Sequence, residues 1–212
     1  PRLRRRRPLA VGRAAVAWGP SATLIMGMAS SGKSYWLSHQ IKRQRGRVIL
    51  WDTANEHVDG SKQGHDAGIQ WDYQGSVAGF LAETMASPQT IRRARVWGNR
   101  REFRVLCQFV HDTGNCFFAV DEAHIVVPHQ SQTEHPFRDL WVTHRHGGLA
   151  IAVCTWQAYG LPTYCRASPR LIMFRTDAQQ DLAWVKREAS AGSDLAAKLP
   201  NLKQGQFLQL NR

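Results

Sequence analysis

The sequence is short of acidic residues and of lysine. It has 16 Asp and Glu against 28 Lys and Arg, of which 22 are Arg, and its formal charge is +12. This balance favours a polyanionic partner, because neutralising phosphates releases counterions and Arg pairs bidentately with phosphate oxygens. A protein that is merely basic remains an alternative, since net charge informs on association and not on fold.

Paired cysteines and long apolar runs are also missing. The four cysteines show no C-x-x-C spacing, which disfavours a zinc site or a disulfide framework and predicts reduced, buried thiols; they are Cys107, Cys116, Cys154 and Cys165. No stretch approaches the roughly 18 apolar residues that a membrane-spanning helix needs, and no signal-peptide pattern opens the chain. We therefore expect a soluble, intracellular protein without a transmembrane segment.

The length of the chain suits a single domain. With 212 residues, 43% of them hydrophobic, it can build one substantial α/β core but not two comfortable ones. Residues 1–13 form a predicted basic arm, ahead of one predicted domain over residues 14–212. The arm contains Arg2, Arg4, Arg5, Arg6, Arg7 and Arg13. It either grips nucleic acid or an acidic partner surface, or it is a solvated tail.

One stretch, residues 27–34, matches the phosphate-binding pattern G-x-x-x-x-G-K-[ST] without a mismatch. Its residues are Gly27, Met28, Ala29, Ser30, Ser31, Gly32, Lys33 and Ser34. An apolar, strand-like run enters it at 23–26, and helix-compatible residues follow at 35–44. In such a loop the backbone N–H groups cradle phosphates, Lys33 reaches the β- and γ-phosphates of ATP, and the Ser34 hydroxyl binds Mg²⁺.

A second motif completes the predicted nucleotide site. The apolar run 116–120 predicts a buried strand, and it ends in Asp121 and Glu122. Asp121 is the candidate ligand of Mg²⁺, and Glu122 is placed to polarise an attacking water. The acidic pair favours hydrolysis over transfer of phosphate to a metabolite.

Three further polar residues follow predicted buried strands. Asp52 ends the run 47–53, Glu56 comes four residues later, and Gln157 ends the run 149–157. Ligands of open α/β sheets collect at the carboxyl ends of strands, so Asp52 and Glu56 are candidates for positioning water or sensing phosphate, and Gln157 for sensing the γ-phosphate. Asp52 as a loop cap and Gln157 as an ordinary strand end remain open.

The periodicity predicts an α/β fold, and together with the motifs at 27–34 and 121–122 it predicts a three-layer P-loop NTPase domain. Its mostly parallel central sheet has an additional strand between the two nucleotide motifs. Predicted strands lie at 23–26, 47–53, 94–97, 116–120, 149–157, 170–175 and 205–210, and predicted helices at 35–44, 76–85, 101–110, 137–146, 177–188 and 194–199. Residues 58–88, rich in Gly, Ser, Gln and Asp, form a variable excursion that contains the helix 76–85.

These motifs together resemble the FtsK–HerA superfamily of DNA-pumping P-loop ATPases. Within it the chain is most similar to the genome-packaging ATPases of membrane-containing icosahedral viruses. The resemblance rests on 27–34, 50–56, 120–124 and the run from Arg145-His146-Gly147 to Thr155-Trp156-Gln157. The ending 199–207 also looks similar. The run 144–147 is similar as well to Zot-like assembly ATPases of filamentous phages.

The resemblance implies a function and a set of partners. It implies an ATPase that uses ATP and Mg²⁺ to translocate double-stranded DNA into a preformed capsid. It also implies a homo-oligomeric ring, expected to be a hexamer, contacts with a capsid vertex or viral membrane proteins, and a place in the host cytoplasm or the virion. The alternatives are a Zot-like assembly ATPase and a small-molecule phosphotransferase.

In such a ring an arginine of one subunit completes the site of its neighbour. Arg145 is the first candidate, at the end of a predicted helix, with Arg166 and Arg170 as alternates. Contact of Arg145 with DNA or with solvent is the competing interpretation. The run His144-Arg145-His146 lacks carboxylate or cysteine partners at ligand spacing, which disfavours a metal site there.

Overall fold

A computed structural model describes residues 21–54, 57, 68–87, 90–127, 135–188 and 192–211. The predicted basic arm over 1–13 and the candidate Glu56 lie outside the described residues.

The described strands form one eight-stranded sheet. They are β1 (Ser21–Met26), β2 (Arg47–Asp52), β3 (Tyr73–Ser76), β4 (Arg93–Trp97), β5 (Cys116–Asp121), β6 (Ala150–Thr155), β7 (Arg170–Phe174) and β8 (Phe207–Asn211). Their spatial order is β3-β4-β2-β5-β6-β1-β7-β8. All neighbouring pairs are parallel except β7 and β8, so the carboxyl ends of β1 to β7 share one edge.

Helices cover both faces of this sheet. They are α1 (Lys33–Arg43), α2 (Val77–Ala86), α3 (Arg100–Thr113), α4 (Ala123–Val126), α5 (Pro136–Thr143), α6 (Thr163–Arg166), α7 (Gln179–Glu188) and α8 (Gly192–Lys198). Residues 158–160 and 199–201 form short 3₁₀ turns. The predicted α/β class, with three layers and a mostly parallel sheet, is confirmed.

Alternation along the central strands supplies both layers of the core. In β5, Phe117 and Ala119 belong to the cluster that contains Leu37 of α1, while Phe118 and Val120 belong to the cluster on the other face. Successive strand residues point to opposite faces, so a strand buried on both sides is apolar throughout. The four cysteines are buried and free, as predicted.

The strand predicted between the two nucleotide motifs, near 95–97, is β4. A different strand, β6, lies spatially between β5 and β1. Phe117 pairs with Ala150 on one side of it, and Met26 pairs with Thr155 on the other. The phosphate loop follows β1, and Asp121 ends β5. Both nucleotide motifs and the end of β6 therefore meet at the carboxyl edge of the sheet.

Two predictions about elements were wrong. The excursion over 58–88 contains the unpredicted edge strand β3, whose sequence YQGS has no apolar alternation and which is only partly buried. The predicted helix 137–146 ends three residues early at Thr143, and Arg145 lies in the following turn. Short segments such as β3 pair because β4 offers an edge, which periodicity does not reveal.

Candidate nucleotide-binding site

The loop over residues 27–34 joins β1 to α1, as the motif predicts. Gly32 at its end has φ 107°, and a Cβ there would lie 3.2 Å from Cα of Gly205. Only glycine meets both demands without strain. Helix α1 has no side-chain cap and no acidic residue in its first turn, so its N-terminus offers backbone N–H groups and a positive dipole end to an anion.

Lys33 is buried beside the loop that precedes it. Its ammonium donates to the carbonyl oxygen of Met28 at 3.0 Å, and the side chain is 4% exposed. The loop is tied to both neighbouring strands, because Gly27 N–H donates to Thr155 O at 3.3 Å and Met28 N–H to Arg175 O at 2.8 Å. The cation is thus held inside the turn, where a bound phosphate chain would meet it.

Asp121 and Ser34 form the candidate magnesium centre. Burial raises the pKa of Asp121, but hydrogen bonds from His57 and Ser34 and the charges of His57 and Lys33 lower it overall. The carboxylate is therefore ionised, and its Oδ1 accepts the N–H of Glu122 at 3.1 Å. An ionised carboxylate beside a hydroxyl is the oxygen donor set that Mg²⁺ prefers, so these residues fit the ion.

A buried histidine, His57, lies directly behind Asp121. Its Nε2 donates to Asp121 Oδ2 at 2.7 Å, and its Nδ1 lies 3.0 Å from the hydroxyl of Ser38 on α1. Burial lowers the pKa of His57, but the hydrogen bond and charge of Asp121 raise it overall. Because Ser34 also bonds to Asp121, a chain of hydrogen bonds runs from Ser34 through Asp121 and His57 to Ser38, and both of its ends lie on α1.

The predicted site residue Asp52 belongs to the same buried network. Its Oδ2 accepts from Arg95 Nε at 2.7 Å and from the backbone N–H of His57 at 3.0 Å. Arg95, only 2% exposed, also donates to Gln74 Oε1 at 2.9 Å and lies 4.8 Å from the ring centre of Trp97. These contacts of Asp52 are with protein groups, and its role in nucleotide binding stays a prediction.

The candidate base Glu122 stands at the turn after β5. It has φ 52°, in the left-handed region, and it occupies the N-cap position of α4 without a capping bond from its side chain. Its Oε2 lies 3.3 Å from Nδ1 of His124, which is also 3.3 Å from Oγ1 of Thr155. Burial, and after it the charge of Lys33, lower the pKa of His124. A neutral imidazole therefore lies between the Glu122 carboxylate and the end of β6.

Gln157 follows the end of β6 by two residues. Its backbone N–H donates to Thr155 Oγ1 at 3.0 Å, and Thr155 O accepts the N–H of Gly27 at 3.3 Å. The segment after Gln157 is anchored by Asp181, whose Oδ1 accepts the Tyr159 N–H at 3.0 Å. The end of β6 is thus tied to the phosphate loop through backbone and hydroxyl groups.

An aromatic cleft opens beside the phosphate loop. It has a volume of about 410 Å³ and runs along α1 from Gly32. Its lining residues are Gly32, Tyr35, Trp36, His39, Gln40, Arg43, Phe174, Gly205 and Phe207. A larger cavity of about 670 Å³ lies between α8 and β8 and includes no residue of 27–34, so of these two it is the smaller cleft that adjoins the phosphate loop.

Arg145 lies at the opposite edge of the sheet. It is exposed in the turn between α5 and β6, where Gly147 O accepts the N–H of Asn115 at 2.8 Å. Asn115 immediately precedes β5, so this turn marks the amino edge. Arg170, at the start of β7, shares that edge, so both arginines lie away from the candidate nucleotide site of the same chain.

The structure brings most of the predicted residues together. The whole stretch 27–34 lies at the carboxyl edge with Asp121, Glu122 and Gln157. The sequence interpretation missed His57 and Arg95. An arginine between Ala94 and Val96 in a predicted strand, near a strand ending in Asp52, was a usable signal for a buried ion pair. His57 stands in a stretch without periodicity, which gave no signal.

Comparisons with solved structures identify the architecture. The chain superposes on the genome packaging NTPase B204 of Sulfolobus turreted icosahedral virus 2 with AMPPCP at TM-score 0.68 and 22% identity, over 90% of this chain and 92% of that one. The DNA-packaging ATPase B204 of Sulfolobus turreted icosahedral virus gives 0.68 at 20% identity, over 91% and 92%. The fold is that of a P-loop NTPase.

More distant P-loop NTPases share this fold. VirB4 of Thermoanaerobacter pseudethanolicus matches at TM-score 0.56 and 12% identity, over 90% of this chain and 88% of that one. The predicted resemblance to viral genome-packaging ATPases is confirmed as a likeness of fold. No protein-family model and no curated protein matches the sequence.

Two features are absent from the part of the chain that the structure describes. No helix there has the length and apolar character that crossing a bilayer requires. No group of three or more His, Cys, Asp and Glu side chains there is arranged to hold a metal ion. His144 instead bonds to the carbonyl oxygen of Trp141 at 2.7 Å.

Proposed function

We propose that this protein is an ATPase that translocates double-stranded DNA, and that it packages a viral genome into a preformed capsid. The observation that carries the proposal is the convergence of Lys33, Asp121 and Glu122 at one edge of a P-loop NTPase fold. That fold superposes on viral packaging NTPases over about nine tenths of both chains. The formal charge of +12 supports a polyanionic partner.

Each residue of the site has a role in hydrolysis under this proposal. Lys33 exchanges its contact with Met28 O for the β- and γ-phosphates, and the N-terminus of α1 binds the phosphate chain. Ser34 and Asp121 would hold Mg²⁺, which would neutralise charge on the phosphates. Glu122 accepts a proton from the attacking water, and Gln157 contacts the γ-phosphate.

The aromatic cleft beside Gly32 takes the base. Tyr35, Trp36 and Phe207 supply flat apolar surfaces, and the Gly205 turn closes over the loop with its N–H donating to Ser31 O at 3.0 Å. Exchanging Tyr35 for Ala should weaken binding of ATP but leave binding of inorganic triphosphate unchanged. Equal effects on both ligands would contradict this placement.

The function further requires a ring. Arg145 lies at the amino edge, away from the site of its own subunit, so it acts on a neighbour's γ-phosphate. Such a heterologous interface closes into a ring, for which we propose a hexamer. The basic arm over 1–13 is the proposed contact with DNA or with the virion. The proposed partners in the virion are a capsid vertex or viral membrane proteins.

The test is ATP hydrolysis measured with and without duplex DNA across a salt series. We expect DNA to stimulate hydrolysis, with an affinity that falls steeply as salt rises. Lys33→Ala should abolish both the basal and the stimulated rate. Hydrolysis indifferent to DNA would favour an assembly ATPase of the Zot type, and phosphate transfer to an added small-molecule acceptor would favour a phosphotransferase.

A further inference from the structure

One buried side chain, His57, has no part in the chemistry proposed above but bonds directly to the candidate magnesium ligand. It is fully buried, and its three polar partners lie on three different elements, β5, α1 and β2. Nε2 donates to Asp121, Nδ1 lies at Ser38, and the backbone N–H donates to Asp52. An imidazole held at both ring nitrogens and at its backbone has one orientation.

The helix that carries the phosphate-binding residues also orients this imidazole. Ser34 and Ser38 are four residues apart on α1, so they lie on one face of the helix. Ser34 bonds to Asp121, while Ser38 bonds to the histidine that bonds to Asp121. Helix α1 therefore contacts the Asp121 carboxylate directly through Ser34 and indirectly through Ser38 and His57.

The backbone of His57 is fixed by an independent ion pair. Asp52 Oδ2, which accepts the His57 N–H, is bound by Arg95 Nε at 2.7 Å, and both side chains are at most 2% exposed. Thr53 Oγ1 donates to the carbonyl oxygen of Asp121 at 2.7 Å. Consequently the turn after β2 cannot shift relative to β5 without breaking several buried bonds.

We propose that His57 is a positioning residue for Asp121. It fixes the carboxylate so that Asp121 and Ser34 are presented together to the Mg²⁺ that accompanies the nucleotide. The inference rests on the proposed function, because it concerns the same site. Partners of this kind that orient a metal ligand typically change metal affinity or activity by about 10- to 100-fold when removed.

The variants distinguish the hydrogen bond between His57 and Asp121 from steric packing of the His57 side chain. His57→Phe keeps a ring but removes both nitrogens, whereas His57→Gln keeps an amide N–H that can reach Asp121. Ser38→Ala removes only the hydroxyl beside Nδ1. The matched control is His111→Phe, since His111 also pairs with an aspartate, Asp112 at 3.2 Å, but is exposed on α3.

The readout is the affinity for a fluorescent, non-hydrolysable ATP analogue in Mg²⁺ and in excess EDTA. We expect His57→Phe to reduce the Mg²⁺-dependent gain in affinity about tenfold, with the affinity in EDTA unchanged. His57→Gln should restore most of the gain, Ser38→Ala should lose part of it, and His111→Phe should match the wild type. If His57→Phe does not fold, the Gln and Ala variants decide.

Two results would overturn the proposal. A wild-type Mg²⁺-dependent gain in affinity in folded His57→Phe would leave His57 as a structural support only. If His57→Phe does not fold, a full wild-type gain in both His57→Gln and Ser38→Ala would have the same meaning. A uniform loss of affinity in Mg²⁺ and EDTA would have the same meaning. A wild-type protein that binds the analogue in neither condition would instead refute the proposed function.

Discussion

The two edges of the sheet are built in different ways. At the carboxyl edge, charged and polar side chains are bonded to one another, as in the hydrogen-bonded chain of Ser34, Asp121, His57 and Ser38. At the amino edge, the turn that carries Arg145 is held by backbone groups, such as Asn115 N–H to Gly147 O, and its cation is exposed.

This difference in burial and bonding suits the two edges to different functions. Buried charges tolerate little displacement, because each needs its partner in place, so the carboxyl edge is preorganised for one ligand. An exposed arginine on a backbone-anchored turn can meet a surface outside its own subunit. The comparison therefore predicts that the carboxyl edge acts within a subunit and the amino edge acts between subunits.

The largest expected effect comes from Arg145. Arg145→Ala should lower hydrolysis by the assembled protein by roughly 10³-fold while nucleotide affinity is kept, because the cation stabilises charge only in the transition state. The measurement is steady-state hydrolysis beside analogue binding. Arg187→Ala, exposed on α7, is the control and should behave as the wild type.

Mixing subunits sharpens this test. Arg145→Ala and Lys33→Ala proteins should each lose nearly all activity. An equal mixture should regain activity at about a quarter of the interfaces, where an intact Lys33 meets a neighbour's intact Arg145. No recovery in mixed rings would show that the amino edge does not act between subunits.

The second effect concerns the carboxyl edge. Glu122→Gln should reduce hydrolysis by roughly 10²- to 10³-fold, since the amide cannot accept the proton of the attacking water. ATP affinity should remain, because Lys33 and the α1 N-terminus are unchanged. Binding and turnover are measured separately, with Glu188→Gln as the exposed control. A parallel loss of binding would mean that Glu122 supports structure instead.

The third effect concerns stability at the amino edge. Gly114 has φ 59° and ψ −162°, and a Cβ there would lie 2.5 Å from Gly147 O. Gly114→Ala should lower the free energy of unfolding by about 2–3 kcal/mol, because only glycine adopts this conformation readily. Urea unfolding measures it. Gly46→Ala is the control, since a Cβ there has no atom within 4 Å.

The smallest effect is a pH dependence at Asp181. Burial raises its pKa to about 6 from the ordinary 3.8. The folded state therefore binds more protons than the unfolded state between about pH 4 and 6, and the free energy of unfolding falls as pH rises through that window. The decrease in the free energy of unfolding should be of the order of 1–2 kcal/mol. It should be absent in Asp181→Asn, whose amide oxygen can still accept the Tyr159 N–H.

Thermal unfolding across pH 4 to 7 tests this prediction. A wild-type melting temperature that rises over the window relative to Asp181→Asn would contradict it. The Asp181 side chain anchors the segment after Gln157. The rate of ATP hydrolysis by Asp181→Asn at pH 7 therefore reports whether the charge of this carboxylate also supports the candidate active site.

Local sequence signals predicted much of the site. The loop over 27–34 and the pair Asp121-Glu122 are contiguous motifs, and each follows an apolar run long enough to predict its strand. Because parallel strands end at a common edge, those motifs also predicted that Lys33, Asp121, Glu122 and Gln157 would converge. The fold class followed from the same alternation of strands and helices.

Other features have no local signal. The strand β3 is polar and gains its place from pairing with β4, and the end of α5 before Arg145 depends on the turn it enters. Arg95 and Asp52 lie 43 positions apart in sequence, yet they form a buried pair because β4 and β2 are neighbours. Periodicity within a window cannot report such contacts.

The sequence by itself determined a P-loop NTPase sheet with a nucleotide loop and an acidic pair, because these depend on contiguous residue types and on period. Only the tertiary structure decided how Asp121 is held, which cleft adjoins the loop, and that Arg145 faces away from its own site. Those outcomes depend on strand order and on long-range hydrogen bonds, which form only when distant segments are brought together in the fold.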